Sequence, residues 1–475
     1  KSKMNWSNGH NMNYDMLVIG AGPGGYVCAI RASQLGQKVA IIDKEWLGGV
    51  CLNIGCIPSK TLLKNAEIVD IIRNRSKEFG FTFDNIDIDY SVAVRRSRKV
   101  SQRLTKGIEY LMKKNNIDVY MGSAHIQSIN EIEIAQTNGK ITTITADNVV
   151  IATGARPITP NEFKIDNRNI VTYRDAILQD KLPKSVVIIG GGAIGVEFAT
   201  IWNSYGSEVT IVEMMNNILP MEDIEISTEL TRSFTKAGIR ILKDSKVEEI
   251  SLEDQNVTIT ISNESGHNSI QAEQVLVAIG FTPNIEGLGL NAMGVTKDPQ
   301  GFIQVDDNMS TNIENVYAIG DVTGKLLLAH VATAQGIVAA ETIAGHPTVQ
   351  LNYKMLPKAT YCHPEVASFG YTEAEALEAG YNTRVSKFRF SANGKALSLG
   401  DHSGWIKIVS NDKNHYILGA HMIGPQVTEL LPELSLAYNA KLTAEDIAKN
   451  IHAHPTLSEA IMETAQGLVD EMIHA

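Results

Sequence analysis

Met16-Leu17-Val18-Ile19-Gly20-Ala21-Gly22-Pro23-Gly24-Gly25 decides how this chain is read. Four apolar residues without a charge read as a buried strand, and the glycines turn it into a helix expected to begin near Tyr26. Val39-Ala40-Ile41-Ile42 is the next strand and ends in Asp43. The pattern returns downstream as Val186-Val187-Ile188-Ile189, the turn Gly190-Gly191-Gly192-Ala193-Ile194-Gly195, and Val209-Thr210-Ile211-Val212 ending in Glu213. Asp43 and Glu213 stand at the same offset from Gly20 and Gly190. Strand, glycine turn, helix, strand and acid in that order make a dinucleotide-binding βαβ unit. A single Gly-x-Gly-x-x-Gly is matched by chance in many loops, whereas two copies with matched acids are strong. The first glycine of each (Gly20, Gly190) permits the tight turn. The second (Gly22, Gly192) lets backbone approach a pyrophosphate, and the third (Gly25, Gly195) lets helix and strand pack closely.

Between the copies lies a basic, helix-patterned stretch from about Val92 to Lys114, then alternating short strands around Val119 to Ile144. Ile151-Ala152-Thr153-Gly154-Ala155 and Val277-Ala278-Ile279-Gly280-Phe281-Thr282-Pro283-Asn284 resemble each other as strand-then-glycine turns, each closing one nucleotide unit. Val316-Tyr317-Ala318-Ile319-Gly320-Asp321 is a further strand ending in Gly-Asp. From about Leu351 the strands and helices carry no nucleotide signature. The expected fold class is therefore α/β, with two Rossmann-like nucleotide-binding domains and a C-terminal α+β domain.

The 475 residues are enough for two to four domains, and a net charge of -11 argues against nucleic acid as a partner. No apolar run approaches the roughly 18 residues of a membrane span, so no membrane partner is expected. Residues 1–13 are polar and patternless and read as a disordered tail or a non-native remnant. With only Cys28, Cys51, Cys56 and Cys362, the chain fits a reducing compartment. The expected localisation is cytoplasmic, or the mitochondrial matrix if a targeting peptide has been removed.

Two of those cysteines fall in Leu47-Gly48-Gly49-Val50-Cys51-Leu52-Asn53-Ile54-Gly55-Cys56-Ile57-Pro58-Ser59-Lys60. Closing so short a loop removes little entropy from the unfolded chain, so the pair is no structural staple. Zinc would need two more ligands, and no further pair stands nearby, so no metal is expected. What remains is a dithiol that opens and closes during turnover. Cys28 and Cys362 lack such surroundings and read as packing. Pro58 and Ser59 read as the start of a helix through Leu62, Leu63 and Ala66. Lys60 would sit in its first turn, where the helix dipole disfavours a cation, which points to a local task.

The dithiol block, the two glycine turns and the ending Ile451-His452-Ala453-His454-Pro455-Thr456-Leu457-Ser458-Glu459 together resemble the flavin-dependent pyridine nucleotide–disulfide oxidoreductases, from Asp15 to His474. The resemblance implies an order of domains: an FAD-binding domain (14–155), an NAD-binding domain (156–279), a return to the FAD domain (280–350) and a dimer-interface domain (351–475). It implies that Cys56 touches the flavin and Cys51 exchanges with substrate. Lys60 is implied to pair with Glu197 near the flavin's reactive nitrogen, and Asp321 to bind the ribityl chain with Leu328, Ala329 and His330 nearby. Asp43 and Glu213 are each implied to bind an adenosine ribose, although the family more often has Glu where Asp43 stands. Gly24, Ala124, Thr153, Gly154, Ala193, Ile194, Val247 and Gly280 match further cofactor-contacting positions. Glu213 would repel a 2'-phosphate, and no Arg or Lys follows within Met214-Met215-Asn216-Asn217, so NAD is expected rather than NADP.

An imidazole ordinarily titrates near neutral pH, which makes His454 the acid–base candidate with Glu459 orienting it. Thr456 to Glu459 also reads as a capping box, so Glu459 has a second, purely structural use. His452 is the rival base. The implied activity is FAD-dependent oxidation of protein-bound dihydrolipoamide with reduction of NAD, by a homodimer. Its partner would be the lipoyl-bearing acyltransferase of a 2-oxoacid dehydrogenase complex or the glycine-cleavage lipoyl carrier protein. No lipoyl-type segment precedes Asp15, so the lipoyl group is expected on another chain. A glutathione-type substrate would call for NADP, and relatives with an added C-terminal cysteine pair are excluded by Gly467 to Ala475. A flavoprotein scaffold or adhesin whose surface function is unrelated to turnover is the reading from a different class.

Overall fold

The computed structural model describes residues 13–253, 256–264 and 266–474, which form two compact units. Residues 1–12 of the expected tail lie outside the described residues, while Asn13 already opens the first strand.

The first unit takes residues 13–58, 96–158 and 281–351. Its sheet is built outward from Asn13–Ile19, whose Met16, Leu17 and Val18 are fully buried. Burying each such side chain is worth about 1.5–3 kcal/mol, which suits an apolar run covered on both faces. Val39–Asp43 and Ile141–Ile151 flank it in parallel, and Asp118–Ser128 and Val316–Ala318 lie outside them, also parallel. The far halves of the two long strands pair antiparallel with Glu131–Gln136, the sixth strand of the sheet. Ala155–Pro157 pairs antiparallel with Phe281–Pro283, where the chain leaves this unit and returns to it.

The second unit takes residues 59–95, 159–280 and 352–474. Its parallel sheet has Ser185–Ile189 at the centre, Glu208–Val212 and Arg240–Leu242 on one side, and Gln274–Val277 and Ile170–Val171 on the other. The inner strands follow the first unit's order, but the outer strand Ile170–Val171 precedes the central one in the chain where Val316–Ala318 follows it, and here the antiparallel meander is separate: Lys246–Glu253, Asn256–Asn263 and Gly266–Ala272. A third sheet is antiparallel throughout. Its order is Lys358–Thr360, Glu365–Gly370, Ile417–Gly424, Trp405–Asn411, Thr383–Arg389, and the helices Val427–Asn439 and Glu459–Val469 share its core. Lys407 of this sheet, 3% exposed, bonds Asp223 and Glu225 at 2.7 Å each and so ties it to the helix Ile224–Lys236.

Two helix starts differ from the sequence expectation. The first glycine turn opens its helix at Pro23 rather than near Tyr26, because proline's fixed φ suits the first helical position. The helix expected from Pro58 begins at Cys56 and runs to Asn74. Pro58 still falls in the first turn, where a missing N–H costs no hydrogen bond.

Candidate functional site

The two glycine turns have the same geometry, position by position. Gly20 has φ +109°, and a Cβ there would lie 2.2 Å from the Ala152 carbonyl oxygen; at Gly25 it would lie 1.8 Å from that of Gly20. In the second turn Gly190 has φ +105°, with 2.3 Å to the Ala278 oxygen, and a Cβ at Gly195 would come within 2.0 Å of the Gly190 oxygen. Gly22 and Gly192 cap their helices in extended conformation, and a Cβ on either would meet nothing within 4 Å. The first and third glycines are thus demanded by the chain's own packing, and the second faces open space at a helix N-terminus, as a phosphate cradle requires. Ala193 and Ile194 open the second helix, Ala193–Tyr205.

Both strand-end acids hold their turn in place. Asp43 Oδ2 accepts the Ala21 N–H at 2.7 Å, and Oδ1 accepts those of Glu45 and Trp46. Glu213, buried, accepts the Gly191 N–H on Oε2 at 2.6 Å and the Met215 N–H on Oε1 at 2.7 Å. Sequence reasoning assigned these acids to a ribose and missed this locking role. Asp43 Oδ2 and both oxygens of Glu213 carry one such bond each and retain acceptor capacity for a hydroxyl, so the two roles are compatible.

Around the first turn, the helix Ala329–Ile343 follows Leu328 and packs so closely on Pro23–Gln34 that a Cβ at Gly336 would lie 2.5 Å from the Gly24 oxygen. Gly24 is itself tight, 3.0 Å from the Ala332 oxygen. Gly336 and Gln335, whose Oε1 accepts the Gly320 N–H at 2.6 Å, were not singled out from sequence. Asp321 lies in the short turn Gly320–Thr323, and burial pushes its carboxyl up to about 6. Ala329 opens its helix and His330 is exposed. Thr153 Oγ1 donates to the Asn284 carbonyl at 2.6 Å, and Asn284 Nδ2 returns a bond to the Thr153 carbonyl at 2.9 Å. Gly154 and Gly280 both have positive φ. Ala124 places its side chain in the first unit's core, and Val247 packs against that of the second, so a ligand would meet backbone at Ala124.

The dithiol segment grows from the first glycine turn. Gly48 N–H donates to the Ala21 carbonyl at 2.8 Å, and a Cβ at Gly49 would lie 2.6 Å from the Gly22 Cα. Cys51 sits in the helix Gly49–Ile54 and Cys56 opens the next one; both are half-buried. Between them the chain folds back at Gly55, where a Cβ would come within 3.0 Å of the Val50 oxygen and 3.2 Å of the Cys51 Cα. Asn53, which sequence reading passed over, pins the loop: its Nδ2 donates to the carbonyls of Leu47 and Gly49 at 3.0 and 2.9 Å. Cys28 and Cys362, by contrast, are buried; burial pushes the Cys28 thiol up to about 12 and that of Cys362 well above its ordinary value. A thiol so disfavoured as thiolate is packing rather than a nucleophile.

In the second unit Lys60 Nζ lies 2.9 Å from both carboxylate oxygens of the buried Glu197, and Glu197 Oε1 also accepts the Tyr361 N–H at 3.0 Å. The ammonium stands 4.6 Å above the Tyr361 ring. His454 Nδ1 is 2.9 Å from Glu459 Oε1, with the imidazole side chain 79% exposed. Glu459 Oε2 accepts the Thr456 N–H at 2.8 Å, but the helix opens at Glu459 behind Ser458 with no side-chain cap, so the capping box expected over Thr456 to Glu459 does not form. Burial alone would raise its carboxyl; the Thr456 N–H and the His454 imidazole outweigh that and hold it below the usual range. His452 is occupied, 4% exposed, with Nε2 2.8 Å from Glu433 and Nδ1 2.9 Å from the Asn450 carbonyl. Among the described residues no His/Cys/Asp/Glu cluster could hold a metal, and no helix is long and apolar enough to cross a membrane.

Compared with known proteins, residues 14–336 match the pyridine nucleotide-disulphide oxidoreductase family and residues 356–465 match its dimerisation domain. The dihydrolipoyl dehydrogenase of Mycobacterium leprae (strain TN) is 47% identical over 467 residues, 97% of this chain and 99% of that protein. That of Mycobacterium tuberculosis (strain H37Rv) is 48% identical over 464 residues, again 97% of this chain and 99% of the relative. Among solved structures, LpdA from Mycobacterium tuberculosis superposes with a TM-score of 0.90 at 26% identity, covering 96% of this chain and 99% of that one. The HOCl-induced flavoprotein disulfide reductase RclA from Escherichia coli gives 0.85 at 26% identity, covering 95% and 99%.

Proposed function

We propose that this chain, which belongs to the pyridine nucleotide–disulphide oxidoreductase family, oxidises protein-bound dihydrolipoamide to lipoamide and reduces NAD to NADH. The family is FAD-dependent and NAD-linked. The observation that carries the reading is the dithiol segment seated on the first glycine turn, with Gly49 against Gly22.

The residues fit both cofactors. Gly20, Gly22, Gly24, Gly25 and Asp43 would hold the FAD pyrophosphate and adenosine, and Asp321 would accept sugar hydroxyls. A carboxyl driven up by burial is improved by such donors. Gly190, Gly192, Ala193, Ile194, Gly195 and Glu213 form the NAD cradle. On this reading 14–155 and 280–350 are the FAD-binding parts, 156–279 binds NAD and 351–475 is the interface domain. FAD, when bound, supplies the two-electron relay between the dithiol and NAD.

The protein's own part is thiol chemistry. A substrate thiolate attacks Cys51 Sγ of the Cys51–Cys56 disulfide, expelling Cys56 as thiolate and forming a mixed disulfide. The second substrate thiol then attacks its own bound sulfur and releases Cys51, leaving lipoamide and a reduced pair. His454 takes the first thiol proton on Nε2, gives it to the departing Cys51 sulfur and accepts the second, which leaves a Cys51 thiol, a Cys56 thiolate and a protonated imidazole, with Glu459 holding Nδ1. The chain carries the family's dimerisation domain. In the homodimer we assign the exposed His454 of one subunit to the dithiol of its partner. Lys60, held by Glu197, supplies a fixed cation on the helix that Cys56 opens. The electron donor is the lipoyl-bearing acyltransferase of a 2-oxoacid dehydrogenase complex or the glycine-cleavage lipoyl carrier, in a reducing cytoplasm that suits four cysteines.

Replacing Cys51 by Ser tests this reading. The variant should keep FAD and the NADH-to-dye reaction and lose dihydrolipoamide oxidation by at least about a thousandfold. Near-normal lipoamide turnover by the variant would refute the disulfide mechanism.

A further inference from the structure

The helix Tyr90–Lys114 carries a basic row that the reaction does not use. Arg96, Lys99, Arg103, Lys106, Tyr110 and Lys113 follow one another at intervals of three or four residues, which places them on one face. All are exposed, whereas Ala93, Val94, Ser97, Ser101, Ile108 and Met112 on the opposite face are buried. The row is about 26 Å long at 1.5 Å per residue. Among the described residues, no carboxylate pairs with Lys99, Arg103, Lys106 or Lys113. It stands out because the chain as a whole carries -11.

The helix is also tied directly to the redox segment, within the first unit. Arg98 Nη1 donates to the Asn53 carbonyl at 2.5 Å, and Thr105 Oγ1 donates to Asn53 Oδ1 at 3.2 Å. Asn53 lies between Cys51 and Cys56. The helix therefore presses its inner face on the dithiol loop and offers its outer face to solvent.

We propose that this basic row is the docking surface for an acidic lipoyl-bearing carrier domain, which it holds while the dihydrolipoyl arm reaches the dithiol. The proposal rests on the reading that dihydrolipoamide arrives on a carrier protein. A complementary row of charges raises the encounter rate and orients the partner without demanding tight binding, as a carrier visiting several enzymes requires. Tyr110, 64% exposed, gives the row an aromatic contact of the kind that anchors interfaces. A nucleic acid or an anionic membrane would also meet the surrounding negative charge, which a compact acidic domain matched to the row does not.

The test uses the holoenzyme and the isolated lipoyl domain of a 2-oxoacid dehydrogenase acyltransferase, reduced to the dihydrolipoyl form. Its kcat/KM is compared with that of free dihydrolipoamide across ionic strength, for the unaltered protein and for Arg103→Glu/Lys106→Glu. The expected result is a carrier reaction that slows with salt and falls about tenfold or more in the variant at low salt, with free dihydrolipoamide unchanged in both. Arg103→Gln/Lys106→Gln should lie between. Equal losses for both substrates, no salt dependence of the carrier reaction, or a variant that elutes as a monomer would each overturn the proposal. So would loss of binding to single-stranded RNA or phosphatidylserine vesicles with carrier turnover intact. Fluorescence anisotropy of the labelled lipoyl domain reads docking without turnover. Absence of free dihydrolipoamide oxidation in the unaltered protein would refute the proposed activity and leave that measurement valid.

Discussion

Burial pushes Asp321 from its ordinary 3.8 up to about 6. Because the folded value lies above the unfolded one, the folded chain binds more protons between them. In the flavin-free protein this group's contribution to stability is therefore full below about 4 and lost as pH rises through about 6. Hydroxyls that donate to the carboxylate favour its charged form, so FAD binding should strengthen as pH rises through the same window. Flavin fluorescence titrations should give a dissociation constant that rises as pH falls below 6, and Asp321→Asn should flatten that slope. A slope unchanged in the variant would assign the titration to another group. The candidate residues were legible from the motif, whereas this energetic state was not, since it depends on what packs around the carboxyl.

At the scale of the element, the second and third glycines of each turn meet opposite demands. A Cβ at Gly195 would lie 2.0 Å from the Gly190 oxygen, while one at Gly192 meets nothing within 4 Å and has an extended φ open to any residue. Gly195→Ala should thus force the helix Ala193–Tyr205 off its strand and destabilise the chain by about 1–3 kcal/mol or more. Gly192→Ala should leave stability within about 0.5 kcal/mol, yet raise the KM for NAD, because the added methyl occupies the cradle. Thermal melting and NADH-binding titrations separate the two effects. Equal melting losses would mean that Gly192 is also a packing glycine. The elements themselves were readable from apolar runs and glycines, and the errors lay at their starts. The sequence places the starts near Tyr26 and at Pro58, whereas the helices begin at Pro23 and Cys56.

At the scale of the whole molecule, the proposed reaction has each subunit lend its His454 to the dithiol of its partner. A two-fold axis repeats each contact, giving two sites per dimer. Co-refolding Cys51→Ser with His454→Gln makes half the dimers mixed, each with one intact site, so about a quarter of normal activity should return. Activity no higher than that of the separate variants, with mixed dimers demonstrated, would place both residues in the same chain's site.

The sequence alone determined the duplicated βαβ units, the redox pair and the His454–Glu459 candidate, because each depends on residue types at short, regular spacing. It could not show that Asp43 and Glu213 hold their own glycine turns, that Gly336 lets two helices touch, or that Asn53 fastens the dithiol loop to a basic helix. Those facts join residues far apart in the chain. Glycine, asparagine and acid each have many possible partners, and only the tertiary packing brings one backbone oxygen or amide within bonding distance.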